Sequence, residues 1–312
     1  MRLLGNACVC GSTGGATRLF ETRDYNFGAT NQRADFMKCR GCDALFPDSF
    51  PSADTLAEAY ASYYTTPKAR HGARKWLRKL IDATRRRHLL RGTPASSASV
   101  LDYGCGSGEF LVSLADAGYR SRLTGTDISQ PQGYRTEAFQ WQTLEAFERN
   151  GAPYDWITLS HVIEHLADPQ SVLRRLKRVC ALGGSVWIST PNARSVLISA
   201  FRGHARDLDF PRHRQVYSRE SLRMLLEQAG FQVAFASSPR VDAVLNFASC
   251  ARNLRRDPNF GRLRQWVVLT TALWRLALHL LKPRFWRSND SPEIVAIATA
   301  ATPATSEIRA RH

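Results

Sequence analysis

Short apolar runs alternate with helical periodicity through the middle of this chain. SVLDY (99–103) is a compact apolar run that ends in glycines, and EFLVSLADAG (109–118) repeats apolar residues at helical spacing up to Gly118. RLTGTD (122–127), AFQW (138–141), YDWITLS (154–160), SVWIST (185–190) and FQVAFA (231–236) read as further strands, and EIVAIATA (293–300) as a final one. A helix is predicted over DPQSVLRRLKRVCALGG, with Asp168 as N-cap, Pro169 at the first helical position and Gly183 closing it. Another capped helix is predicted over SRESLRMLLEQAG (218–230). Strands that alternate with helices predict an α/β fold, a mostly parallel sheet covered on both faces.

The flanks differ from this core, and no internal repeat is present. Four regions follow: a cysteine-bearing, turn-rich module (1–50), a basic helical segment (51–95), the alternating core (96–236) and a basic helical tail with the last strand (237–312). In the second region, KARHGARKWLRKLIDATRRRHLLR (68–91) carries ten Lys or Arg against Asp82 alone, with Trp76, Leu77, Leu80 and Ile81 on one helical face. The tail's apolar run WVVLTTALWRLALHLL (266–281) is broken by Arg275 and His279, which makes it too short and too charged for a membrane span.

Over 312 residues the hydrophobic content is 44% and the aromatic content 10%, enough for a globular core. The balance of 43 Lys plus Arg against 27 Asp plus Glu gives a formal +16, which favours nucleic acid, phosphorylated small molecules or acidic lipid surfaces as partners. The opening MRLLGNACVCGS has only two adjacent leucines, short of a signal peptide's apolar core. The expected location is the cytoplasm, with peripheral contact at an inner membrane surface open. Thiols kept reduced there serve metals more readily than disulfides.

Candidate chemistry begins at VLDYGCGSGEF. Gly104, Gly106 and Gly108 follow the first strand and precede a helix, where backbone can approach a ligand and free N–H groups face it. A dinucleotide fingerprint would need its third glycine at 109, where Glu109 stands, and no Gly-Lys-Ser/Thr follows for a P-loop. Asp127 ends the second strand, placed to accept hydrogen bonds from ribose hydroxyls.

LDYGCGSGEFL, GTDIS, YDWITLSHVIEHLADP and ISTPN resemble, in order, the motifs of class I S-adenosylmethionine-dependent methyltransferases. The likeness spans about 96–236 and is to the group holding ubiquinone-pathway and sugar O-methyltransferases. The resemblance implies a Rossmann-like sheet of seven strands whose last is antiparallel, a place EIVAIATA could fill. It also implies S-adenosylmethionine as cofactor. Asp102 and the backbone of Gly104, Cys105, Gly106 and Gly108 would then meet the methionine part, Asp127 the ribose and Ile128 the adenine. Gln142 or Thr143 fits the next adenine position loosely, and Ser160 closes the fourth strand beside the ligand.

His161-Val162-Ile163-Glu164-His165 matches the H-x-x-E-H of inverted zinc proteases, but a strand-to-helix turn lacks the continuous helix that chemistry needs. Three readings stay open. Glu164 and His165 are structural, or a histidine takes a proton from the acceptor, or the group binds a metal. Small-RNA 2′-O-methyltransferases hold an ion with E-x-x-E-H plus a distant histidine. Here His161 replaces the first glutamate, and His213 would be the distant ligand. His213 lies in a long connection (191–217) and ranks with His165 as a base candidate, ahead of His161.

Cys8-Val9-Cys10 and Cys39-Arg40-Gly41-Cys42 offer four thiolates for a structural zinc, although the first pair is one residue short of C-x-x-C spacing. Methyltransferases of this group often carry such an N-terminal four-cysteine zinc ribbon. The expected function is methyl transfer to a small, anionic acceptor, an oxygen of a sugar, glycolipid precursor or secondary metabolite. No RNA-binding signature appears beyond charge, so an RNA methyltransferase ranks second and a non-catalytic cofactor-binding protein third. Oligomeric state is not legible in the sequence.

Overall fold

A computed structural model describes residues 8–11, 15–65, 83, 86, 98–119, 122–128, 136–150, 153–236, 240–281 and 289–300. Apart from residues 83 and 86, the basic segment 68–91 lies outside the described residues. The chain opens with β1 (Ala16–Arg23), β2 (Arg33–Cys39) and β3 (Leu45–Pro47), an antiparallel three-stranded sheet, followed by α1 (Ala53–Thr65). The alternating core then runs β4 (Val100–Tyr103), α2 (Glu109–Asp116), β5 (Leu123–Asp127), β6 (Gln140–Thr143), α3 (Leu144–Asn150) and β7 (Tyr154–Ser160). It continues through α4 (Pro169–Arg178), β8 (Cys180–Pro191), α5 (Val196–Phe201), α6 (Arg219–Gln228) and β9 (Phe231–Ala236). The tail supplies α7 (Arg240–Arg256), α8 (Arg262–Leu281) and β10 (Glu293–Ala300).

Seven strands form one sheet in the order β6-β5-β4-β7-β8-β10-β9. β10 runs antiparallel to β8 and β9, and the other pairs among β4 to β8 are parallel. The expected last antiparallel strand is therefore present, inserted between the fifth and sixth strands of the core. Strand order reverses at β4, so the carboxyl ends of β4 and β7 open the crevice where such sheets hold ligands.

Both sheet faces are covered, which explains the continuous apolar strands. Leu101, Ile157 and Val186 pack beneath α4 and α6, while the adjacent Val100, Trp156 and Trp187 face α2 on the other side. A further core joins Phe36 and Leu45 of the N-terminal sheet to Leu197 and Phe201 of α5, Leu254 of α7 and Ala272 of α8. The connection between β8 and α6 is thereby clamped from two sides.

Three expectations shift. The helix begun by Asp168, whose carboxylate accepts the Ser171 N–H at 3.0 Å, ends at Arg178 instead of Gly183. Cys180 already pairs with Tyr154, so the strand claims Ala181 to Gly184 across a bulge. The third core strand falls at 140–143 because Phe139 turns into the core against α2. The 191–217 connection, open to reading as an exposed loop, is largely buried and carries α5 with two short 3-10 turns, Arg202–His204 and Arg206–Leu208.

Candidate functional site

The glycine loop is shaped by positive φ angles: +74° at Gly104, +53° at Gly106 and +70° at Gly108. A Cβ on Gly104 would stand 2.4 Å from Val162 Cγ2, so the H-x-x-E-H turn presses directly on the loop. A Cβ on Gly108 would stand 2.4 Å from Phe139 Cζ, whereas one on Gly106 meets nothing within 4 Å. Gly106 is thus the open point of the cradle. Its N–H donates to Asp127 Oδ2 at 2.7 Å, and Ile128 N–H donates to Oδ1 at 2.7 Å. Asp127 is held at the strand end beside Ile128, whose side chain is 67% exposed, an apolar plate next to a hydrogen-bonding carboxylate. Asp102 is buried and accepts from Thr158 Oγ1 at 2.5 Å.

The other cofactor-side candidates sit around this crevice. Gln142 pairs with Thr126 and Thr143 with Asp127, while Ser160 at the end of β7 is half-buried. The thiol of Cys105 is buried, with its pKa pushed up by burial and by Asp102, so its backbone is what can face a ligand. A positive-φ cradle, an acid at the end of β5 and an exposed apolar neighbour fit a nucleoside with a small charged tail. Glu109 in the first turn of α2 does not fit a pyrophosphate. The residues present fit S-adenosylmethionine.

Glu164 is the centre of the second cluster. It is fully buried in the 3-10 turn Ile163–His165, accepts from Thr190 Oγ1 at 2.9 Å and lies 3.2 Å from His161 Nδ1. Its own carbonyl accepts the N–H groups of Arg214 and Gln215 at 2.8 and 3.3 Å. Burial opposes its charge, yet the His161 hydrogen bond and the surrounding histidines win, lowering its pKa to about 2. His161, at φ +55°, spans two carboxylates, with Nε2 2.6 Å from Glu293 Oε1. Burial works against the imidazolium, but Glu293 and Glu164 outweigh it and hold the pKa well above 6.5. A protonated His161 has no lone pair with which to accept a proton.

His165 and His213 meet edge to face, ring centroids 4.6 Å apart. His165 Nδ1 lies 3.1 Å from the Arg212 carbonyl and His213 Nδ1 2.8 Å from the Asp207 carbonyl. A carbonyl needs a donor, so both Nδ1 atoms carry hydrogen, and in the neutral ring the lone pair is at Nε2. The Tyr60 hydroxyl of α1 reaches to 3.2 Å from the same His165 nitrogen, bringing the N-terminal helix over the crevice. Burial, and then His165, lower the His213 pKa to about 4. Glu164, His165 and His213 each place one ligand atom within 4.8 Å of the others, close enough for a cation. Both carboxylate oxygens of Glu164 are already engaged by His161 and Thr190, which favours a hydrogen-bonded hub.

Two polar residues of the 191–217 connection, outside the ranked base and ligand candidates, belong here. Asp207 is buried with neither carboxylate oxygen hydrogen-bonded, and burial pushes its pKa up to about 6. Arg212 is fully buried, reaching Asp24 at 2.6 Å and Asp209 at 2.9 Å, which ties the N-terminal module to the 206–217 connection.

The four N-terminal cysteines converge as the spacing suggested. Cys8 and Cys42 Sγ are 3.3 Å apart, Cys8 and Cys10 3.4 Å, and Cys10 and Cys39 3.5 Å, with no disulfide. Four sulfurs around one centre at these separations suit tetrahedral zinc. Gln215 Nε2 lies 3.6 Å from Cys8 Sγ, and the Ser218 hydroxyl donates to the Cys42 carbonyl at 2.5 Å. Leu45 and Val216 exchange backbone hydrogen bonds at 2.9 and 2.8 Å, so the cysteine module props the bridged segment that follows His213.

A seven-stranded sheet of this order, with a glycine loop after β4 and an acid closing β5, defines the class I S-adenosylmethionine-dependent methyltransferases. The family model described as Methyltransferase domain matches residues 70–234, more than half of the chain, and the chain belongs to that family. Curated relatives include the ubiquinone biosynthesis O-methyltransferases of Escherichia coli and Coxiella burnetii. The first is 34% identical over 30% of this chain and 42% of its own length, the second 28% over 36% and 52%. The chain thus spans about half the length of the curated relatives it matches. A chain from the Haloferax volcanii complex of the Trm112 methyltransferase activator with a methyltransferase shares the fold. The two are 17% identical at a TM-score of 0.50, over 79% of this chain and 97% of that one.

Proposed function

We propose that this chain transfers the methyl group of S-adenosylmethionine to an oxygen of a small acceptor. The observation that carries this reading is the joining of two sites by one contact. Val162 of the turn that orients His165 packs on Gly104 of the cofactor loop. The bound cofactor supplies an electrophilic methyl carbon on a sulfonium. With it bound, Asp127 would accept from the ribose hydroxyls, Ile128 and Gln142 would hold the adenine, and the backbone of Gly104 to Gly108 with Asp102 and Ser160 would hold the methionine part.

His165 Nε2 takes the proton of the acceptor hydroxyl as its oxygen attacks, with Nδ1–H anchored on the Arg212 carbonyl. His213 holds His165 by the edge-to-face contact, and its depressed basicity makes it the poorer base. His161 holds Glu164 in place of acting on substrate. The relatives' O-methyltransferase names and the +16 charge support an oxygen of an anionic or glycolipid-type metabolite. The same charge supports peripheral contact with an anionic membrane, and no helix among the described residues is long and apolar enough to cross one.

The test pairs binding with turnover. S-adenosylhomocysteine should raise the melting temperature and NAD should not; the absence of a shift with the former removes the reading. With acceptor found by labelled-cofactor incubation of cell extract, His165→Ala should lose about 100-fold in turnover while keeping cofactor affinity. His213→Ala should lose less. Label entering RNA would promote the RNA methyltransferase alternative.

A further inference from the structure

Helix α8 has two apolar faces, and among the described residues only one of them is packed. Leu276 and Ala272 are buried, and with Val268 and Leu269 they pack on α5 and α7. On the opposite side Leu263, Trp266, Val267, Leu273, Trp274 and Leu278 are all exposed, the two indoles at 65% and 66%. Their spacing places them on one continuous arc, interrupted only by small residues such as Thr270 and Ala277. A stripe of this kind on the outside of a soluble fold marks a surface that meets something else.

The charge says what. α8 contains no Asp or Glu; its exposed Arg264 and Arg275 fall on one flank of the stripe, about 16 Å apart, and exposed Arg262 falls at the other edge. The end of α7, just before α8 in the chain, also carries exposed Arg252 and Arg255, whereas Arg256 donates to the Tyr25 and Asn26 carbonyls. Twenty residues of helix extend about 30 Å, with the two tryptophans about two turns apart on the arc. Apolar residues with indoles on the outer face and arginines on the flank make up the composition of a helix lying in the headgroup region of an anionic bilayer. A protein partner matched to this face would need carboxylates for the arginine flank alone. A lipid surface supplies the anionic layer and the apolar layer at their natural depths.

We infer that the outward face of α8 is a docking surface for anionic lipid membranes, seated with Trp266 and Trp274 in the interface and Arg264 and Arg275 on the headgroups. This deepens the peripheral-contact reading and is independent of the acceptor. The buried face of α8 clamps the 196–217 connection through α5, so docking sets the crevice at a fixed distance from the bilayer.

The experiment is co-sedimentation of the full chain with vesicles of phosphatidylcholine alone or with about 30% phosphatidylglycerol. Binding should favour the anionic vesicles by about tenfold or more and weaken in high salt. Trp266→Ser with Trp274→Ser should lose at least about tenfold of that binding. Because both indoles are exposed, the melting temperature and its rise with S-adenosylhomocysteine should be kept. Arg264→Glu with Arg275→Glu should abolish the preference for anionic lipid and leave the fold intact. If the parent chain ignores both vesicle types, the membrane reading and this assignment fall together. If the tryptophan variant binds as the parent does, contact lies elsewhere and only the assignment to α8 falls. A parent dimer that the tryptophan variant dissolves, with no vesicle binding, would make the face a self-association surface and overturn the inference.

Discussion

Replacing Glu164 by glutamine keeps the shape of a fully buried side chain and removes its charge. The carboxylate is held by His161 and Thr190, and its pKa falls from 4.5 to about 2. A fall of that size corresponds to about 3 kcal/mol of preference for the charged form in the folded state. Glutamine still accepts from Thr190, so the loss reports the charge, felt by His161 at 3.2 Å and His213 at 4.0 Å. At pH 7 the variant should melt roughly 6 °C or more below the parent. A depressed carboxylate pKa stabilises above its unfolded value, and the benefit is lost as pH falls toward the folded value. The gap should therefore be full above pH 4.5 and narrow between there and about 2. The His161 contribution has the opposite sense: full below 6.5, lost as pH rises through its raised folded value. Circular dichroism melts of both proteins at pH 7, 4 and 3 measure this. A variant within about 2 °C of the parent at pH 7, or a gap of equal size at pH 3, would refute the assignment of Glu164 as the charged hub.

Metal analysis of the purified chain should find about one zinc, lost when Cys39 and Cys42 are changed to serine. Because Leu45 and Val216 share two backbone hydrogen bonds, that loss should also loosen the His213 connection, read as faster amide exchange at Val216. A second tightly held ion would instead point to Glu164, His165 and His213 as a metal group. In the glycine loop, Gly108→Ala should cost about 2–4 kcal/mol in urea melts, since φ is +70° and Phe139 blocks the new Cβ. Gly106→Ala, with open space around it, should cost only about 1 kcal/mol in stability yet weaken S-adenosylhomocysteine binding.

Much of the site was legible because its signals are local. The glycines needed positive φ at three alternate positions, and Asp127 had to end a strand. Asp168 and Pro169 announced a helix start within a few residues. Strand and helix periods alternate in the chain, and both faces of the sheet are buried, so apolar runs marked the strands. The end of the helix after Asp168 was misjudged for the same reason. Gly183 resembles a helix terminator, and only pairing of Cys180 with Tyr154 turns those residues into strand.

What tertiary structure decided is which distant groups share a charge or a face. Nothing local places Glu293 against His161, 132 positions earlier, or Tyr60 against His165. Those contacts fix which histidine is locked as a cation and which keeps a lone pair. The polar composition of 191–217 fits a surface loop, yet α5, α7, α8 and the N-terminal sheet bury it and turn Asp207 and Arg212 inward. In α8 the chain shows apolar residues on two opposite sides of the helix. Only packing on α5 and α7 determines which half is core and which half faces outward. Periodicity encodes what a segment can bury, whereas its partners come from elsewhere in the chain and leave no local trace.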